Sequence, residues 1–231
     1  MARFARITAA GVALLLVVTA AGVVAAATGG APAGVAPAHE HAAPAAGQTA
    51  RDALRAQMRK LWEDHITWTR LYIVSAATLP DDLPDIGPTA ERLFANQDDI
   101  GAAVGSFYGQ AAGNQLTALL HEHIALAAQA ITAAKAGDDA GLQQALDDWY
   151  ANADDIARFL ADANPRSWPF DEMRAHMRAH LDLTLEEAVA RLHGDYAADI
   201  AAYDKVHTQI LEMADMLANG IIDAFPARFG R

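Results

Sequence analysis

Leu120-His121-Glu122-His123-Ile124, continued to Gly137-Asp138, decides how the rest of this chain is read, because it recurs in weaker form once before and once after. His123 precedes Asp138 by fifteen residues, and His180 precedes Asp195, which also follows a glycine, by the same fifteen. His65 precedes Asp81 by sixteen, within Leu79-Pro80-Asp81. A second marker follows in each copy: Asn96-Gln97-Asp98-Asp99-Ile100, Asn152-Ala153-Asp154-Asp155-Ile156 and Gln209-Ile210-Leu211-Glu212-Met213. A period of about 57 residues is the mark of a repeated supersecondary unit.

The sequence around these markers is helical in character. Residues 51–225 are rich in alanine, poor in β-branched runs and spaced in threes and fours along their apolar positions. Breaks fall at Leu79-Pro80, Pro88-Thr89, Gly137-Asp138, Asn164-Pro165 and Gly194-Asp195. They predict six helices: Thr49 (as N-cap) to Thr78, then Thr89–Tyr108, Ala111–Ala136, Asp138–Ala163, a fifth capped by Ser167, and Tyr196–Phe225. The fold class is therefore all-α, a six-helix bundle built from three αα-hairpin repeats of about 57 residues. Closure into one bundle with a shared core is the expectation, and an open array is the alternative.

Outward from this domain the composition changes. Arg3 and Arg6 precede an apolar, uncharged run from Ile7 to Ala27 that ends in Ala25-Ala26-Ala27. These features fit a secretory signal with an Ala-x-Ala cleavage site, while the run also reaches the roughly twenty residues that a spanning helix needs. Both a signal peptide and a membrane anchor through residues 7–27 place the bulk of the protein outside the cytoplasm. Residues 28–50 are almost all Ala, Gly, Pro and small polar residues, and read as a flexible linker before the bundle domain of residues 51–231. The chain has no cysteine, which excludes disulfides and thiolate sites. Its 29 acidic against 17 basic residues, net −12, argue against a nucleic-acid partner, which needs a basic footprint.

The candidate site comes from the polar residues that fall on inward stripes. On the first helix the stripe is Leu54, Met58, Leu61, His65, Trp68 and Tyr72. On the third it runs through Leu116, Leu120, His123, Ala127 and Ile131, with His121 turned some 200° away by being two residues off. On the fifth it is Met173, Met177, His180, Thr184 and Glu187. Three histidines at equivalent positions can converge at one level, and imidazole is a ligand for zinc, copper and iron. The second marker offers carboxylates in register, Asp99, Asp155 and Glu212, each three residues after an amide, Asn96, Asn152 or Gln209. The expected metal set is thus His65, His123, His180, Asp99, Asp155 and Glu212, supported by Asn96, Asn152, Gln209 and Thr184. The Glu-x-x-His signature of di-iron bundles is absent at all three histidines.

A metal-free reading accounts for the same pattern, since a buried histidine often only bridges to a neighbour and fixes helix register. An enzymatic reading would use one histidine as a general base beside Asp155. Lesser ligand candidates are His176 with His180, Asp204 with His207, and His39-Glu40-His41 in the linker. Arg70 is read as pairing with an acidic neighbour, and Trp62, Trp68, Trp149 and Tyr203 as packing residues. No phosphate-binding loop, dinucleotide fingerprint or nucleophile elbow is present.

Leu61-Trp62-Glu63-Asp64-His65, Thr67-Trp68-Thr69-Arg70, Trp149 through Ile156, His180-Leu181 with Thr184, and Met213-Ala214-Asp215 together resemble a bacterial all-helical protein family of undefined activity, members of which carry enzyme names such as acetylglutamate kinase. The resemblance spans roughly residues 57–221. It implies the helical fold and the choice of His65, Asn152, Asp155 and His180, and no mechanism. The functional expectation is an exported, non-catalytic bundle that binds a divalent transition metal (Fe, Cu or Zn) through inward His and carboxylate residues. Its competitor is a metal-free envelope interaction module.

Overall fold

The computed structural model describes residues 46–230. The segments read as a signal or anchor (7–27) and as most of the linker, with His39-Glu40-His41, lie outside the described residues. Six α-helices follow one another: α1 Ala46–Ala76, α2 Ile86–Tyr108, α3 Gln110–Ala136, α4 Asp139–Ala163, α5 Phe170–Leu192 and α6 Tyr196–Ala224. A 3₁₀ turn, Pro226–Phe229, ends the chain and packs on α1 and α6. Each helix packs against the next and α6 packs against α1, so the helices form a closed ring. Contacts of α1 with α3 and α5 bring the odd-numbered helices together inside that ring.

The predicted boundaries hold to a few residues, with two instructive shifts. Helix α2 begins at Ile86, before Pro88, because a proline in the first turn forfeits only an amide that has no helical partner anyway. Helix α5 is preceded by Pro169 and not by Ser167. The amides of Ser167 and Trp168 instead donate to the Asn164 carbonyl at 3.2 and 2.8 Å, folding that segment into a turn. Helix α1 starts ahead of Thr49, which is therefore not its cap.

At two turns the sequence signal is realised in full. Gly137 and Gly194 take φ of 68° and 74°, the left-handed region that ends a helix without a Cβ clash. The aspartates that follow cap the next helices: Asp138 accepts from the Gly141 amide and Asp195 from the Ala198 amide. The first turn lacks this glycine. There Asp85 leaves α2 uncapped and its carboxylate accepts from the Ser75 hydroxyl at 2.8 Å.

Most of the core is one continuous cluster running from Leu54, Met58 and Trp62 through Leu116, Leu120, Met173 and Met177 to Trp168 and Phe229. Trp168, in the α4–α5 turn, is wholly buried against Gly220. A Cβ on Gly220 would stand 2.1 Å from the indole nitrogen, so this approach requires glycine. A second, small cluster of Ile73, Ala76, Ile131 and Ala188 lies toward the opposite end of the odd helices. One position of the predicted stripes is corrected. Trp68 is only half-buried, with Arg92 over its ring, while Trp62 and Ile66 take the inward face of α1.

Candidate functional site

His65, His123 and His180 are 2–3 % exposed and belong to α1, α3 and α5. The close inner packing of those helices brings the rings together. His65 and His180 have ring centroids 5.6 Å apart, and His123 and His180 6.3 Å apart, with His180 the middle member. Trp62 meets His65 edge-on at 5.8 Å, and Trp149 lies 5.4 Å from His123. The hydrogen bonds that reach these rings from described residues, at His65 and His123, fall on Nδ1.

The even helices hold the other edge of this layer, and one bond recurs three times. Asn96 Nδ2 donates to the Leu61 carbonyl at 3.0 Å, Asn152 Nδ2 to Leu119 at 3.1 Å, and Gln209 Nε2 to His176 at 3.1 Å. Each acceptor carbonyl lies four residues before a central histidine. At His123 the result is a defined tautomer: with its NH₂ on Leu119, Asn152 turns its carbonyl oxygen to the ring, and His123 Nδ1–H donates to it at 3.0 Å. Nε2 of His123 then carries the lone pair.

The surroundings of the other two histidines are less settled. His180 Nδ1 and Gln209 Oε1 are both buried without a hydrogen-bond partner. Near His65 the amide is Gln97, not Asn96. Its Nε2 lies 3.2 Å from His65 Nδ1, 2.9 Å from the Leu93 carbonyl and 3.1 Å from Asn96 Oδ1, while its own Oε1 has no partner. Two amide hydrogens face three acceptors there, so this corner of the layer is short of donors.

Electrostatically the layer is neutral. Burial holds His65 well below the ordinary histidine value of 6.5, and the neighbouring His180 and His123 add to the effect. Burial lowers His123 to about 4 against the pull of Asn152. It lowers His180 to about 3, with His123 next in importance; Gln209 pulls slightly upward without reaching hydrogen-bond geometry. Unprotonated imidazole is the form that binds metals.

The carboxylates of the second marker do not join the histidines. Asp99, Asp155 and Glu212 are all exposed, and Asp99 reaches only toward Arg92, at 4.0 Å. The reason is helical phase. On α4 the buried residues centre about 80° round the helix from Asn152, and a residue three positions on lies at about 300°, nearly opposite. The enzymatic pairing of a histidine with Asp155 fails on the same geometry. His176 is half-buried and contributes its backbone carbonyl to Gln209, and His207 pairs with Glu63 at 2.9 Å. Among the described residues no group of three or more His, Cys, Asp or Glu is arranged to hold a metal.

Around the layer, polar contacts link one helix to the next. His121 Nε2 lies 2.9 Å from Asp98 without hydrogen-bond geometry, Arg178 forms an ion pair with Asp154 at 2.8 Å, and Glu63 lies 2.9 Å from His207. The odd-helix member of each pair stands two residues before its central histidine. Just beyond the layer, Arg70 bridges Glu187 and Asp199, each at 2.7 Å, and Arg191 lies 3.5 Å from Asp199. Glu187 and Asp199 are 1 % exposed, and burial pushes the Glu187 carboxyl up to about 7 in spite of Arg70.

No family model, curated protein or solved structure matches this chain. The site therefore has to be judged on its own chemistry. Sequence reasoning placed the three histidines and the pairing of Arg70 with an acidic neighbour. It missed Gln97, Asp199 and Trp168. Gln97 has no signal in the repeat, because Ala153 and Ile210 occupy the equivalent positions.

A cavity of about 180 Å³ lies next to the histidine layer, lined by α1 to α5. Thr69, Ala127 and Thr184, each four residues after a central histidine, line it, with Ile131, Ala188 and Trp149 among its other walls.

Proposed function

We propose that this protein is a helical metal-binding protein that holds one divalent transition metal among His65, His123 and His180. The reading is carried by three neutral, buried imidazoles brought together from three helices, whose hydrogen bonds at His65 and His123 fall on Nδ1 and not on Nε2. Three imidazoles at about 2.1 Å from one tetrahedral ion would have ring centroids about 5.2 Å apart. The His65–His180 separation of 5.6 Å is close to that value, and the His123–His180 separation of 6.3 Å is about 1.1 Å wider. The Asn152–His123 bond is the outer hydrogen bond that orients a ligating histidine. His65 would bind through Nε2 once its Nδ1–H found an acceptor in place of the Gln97 NH₂ group. An all-imidazole set suits copper, zinc or iron, with the carboxylates excluded from it.

The proposed architecture behind the site is three αα-hairpins, α1–α2, α3–α4 and α5–α6. The thrice-recurring amide-to-carbonyl bond and the thrice-recurring polar contact two residues before each histidine support it. An extracytoplasmic location, secreted or held at a membrane by residues 7–27, rests on the sequence of that segment. No helix among the described residues is long and apolar enough to cross a membrane.

The second reading is a metal-free envelope interaction module in which the histidine layer only fixes helix register. The outward carboxylates and the lack of a ready-made ligand group favour it. Elemental analysis of the full chain after equilibration with iron, copper, zinc or manganese separates the two. Near-stoichiometric metal that disappears in a folded His65→Ala, His123→Ala, His180→Ala variant supports the centre. A wild type that retains none leaves the register-fixing module.

A further inference from the structure

We infer that the cavity beside the histidine layer is a binding site for a compact, neutral, apolar molecule of monocyclic-aromatic size. The inference rests on the cavity alone and not on the metal reading. The two threonine hydroxyls in its wall are already spent. Thr69 and Thr184 each donate their hydroxyl to the carbonyl four residues back, His65 and His180, both at 2.8 Å. What the two threonines have left to offer the chamber is a methyl group. Ala127, Ile131 and Ala188 add only hydrocarbon, and the Trp149 indole N–H, though buried, has no partner.

Such a space is a poor home for water, which needs two to four polar partners to offset its removal from bulk. It is equally poor for an ion. The nearest charged cluster, Arg70 with Glu187 and Asp199, is satisfied within itself, and none of its members lines the cavity. The chamber opens past Val189, and its volume of about 180 Å³ accommodates on the order of six to ten non-hydrogen atoms. Apolar cavities of about 150 Å³ elsewhere stay dry and take up benzene or xenon. The chamber therefore selects a small hydrocarbon or aromatic, and its inner end abuts the imidazoles.

Benzene titrated into metal-free full-length protein, followed by the methyl resonances of Ile131, Thr69 and Thr184, tests this. The expected result is saturable binding that shifts those methyls, with benzoate weaker by roughly tenfold or more because its charge cannot be solvated there. Ala188→Leu and Ala127→Leu, each filling part of the chamber, are expected to weaken benzene by roughly tenfold or more while the circular dichroism stays native. If one of them misfolds, the other decides. Absence of saturable binding to the folded wild type overturns the inference. So does benzoate binding as tightly as benzene, or undiminished benzene affinity in a folded filling variant. Because no metal is present in the assay, these outcomes leave the histidine centre to its own test.

Discussion

The two sides of the histidine layer are built differently. Toward Trp168 the interior is one continuous cluster of large side chains, Met58, Trp62, Leu120, Met173, Met177 and Met213 among them. Toward the α1–α2, α3–α4 and α5–α6 turns it is a handful of residues, Ile73, Ala76, Ile131 and Ala188, around an open chamber. One side is filled by large side chains and the other is left short of volume by alanines on α3 and α5. The difference assigns stability mainly to the first side, and to the second the room for a ligand.

Breaking the packed side should cost most. Trp168→Ala is expected to lower the unfolding free energy by about 3–5 kcal/mol, because the indole is wholly buried against a glycine that cannot fill the void. Urea denaturation measures it, and a loss under about 1 kcal/mol would mean that this side is not what holds the ring.

The layer between the two sides should give the protein an acid limit. Its histidines have folded-state values below the ordinary 6.5, so the unfolded chain binds more protons as pH falls. Their contribution is fully present above pH 6.5 and is lost as pH falls toward the folded values of about 4 and 3. Glu187 has the opposite sign. With its folded value raised to about 7, its contribution is present below the ordinary 4.5 and is lost as pH rises through 7. Thermal melts should therefore show falling stability from pH 6.5 downward, and His180→Leu should flatten that slope. An unchanged slope in the variant would show that His180 is not shielded from protons as its burial implies.

A smaller effect is expected from the amide that sets the tautomer. Asn152→Ala strands His123 Nδ1 and removes the second hydrogen bond to the Leu119 carbonyl, and should cost about 1–3 kcal/mol in denaturation. If the layer binds metal, the same variant should weaken it by about 10–100-fold. Smallest of all should be Asp99→Asn, Asp155→Asn and Glu212→Gln, each within about 0.5 kcal/mol of wild type. Their bound metal, measured by elemental analysis, should also stay at the wild-type level. A loss of metal in any of them would return the carboxylates to the ligand set.

Several parts of this architecture were legible in the chain. The six helices follow from alanine-rich, three-and-four-spaced segments punctuated by proline and glycine, signals that act over one or two turns. Gly137-Asp138 and Gly194-Asp195 were readable as breaks because a left-handed residue followed by a capping carboxylate is local chemistry. His65, His123 and His180 were readable as inward because each falls on a long apolar stripe. The carboxylates were misplaced because a shared spacing of three residues was taken as a shared face, and at 100° per residue that step lies at the edge of the stripe or past it.

By itself, then, the sequence determined the helical segments, their turns and which histidines point inward, since each depends on neighbours a few residues away. Tertiary structure decided that the three imidazoles form one neutral layer, that Gln97 rather than Asn96 meets His65, that Asp199 is buried between two arginines, and that a chamber stands open beside the layer. Those depend on the distances and rotations between helices far apart in the chain. A side chain's partner, pKa and surrounding volume are properties of that packing, and no local pattern encodes them.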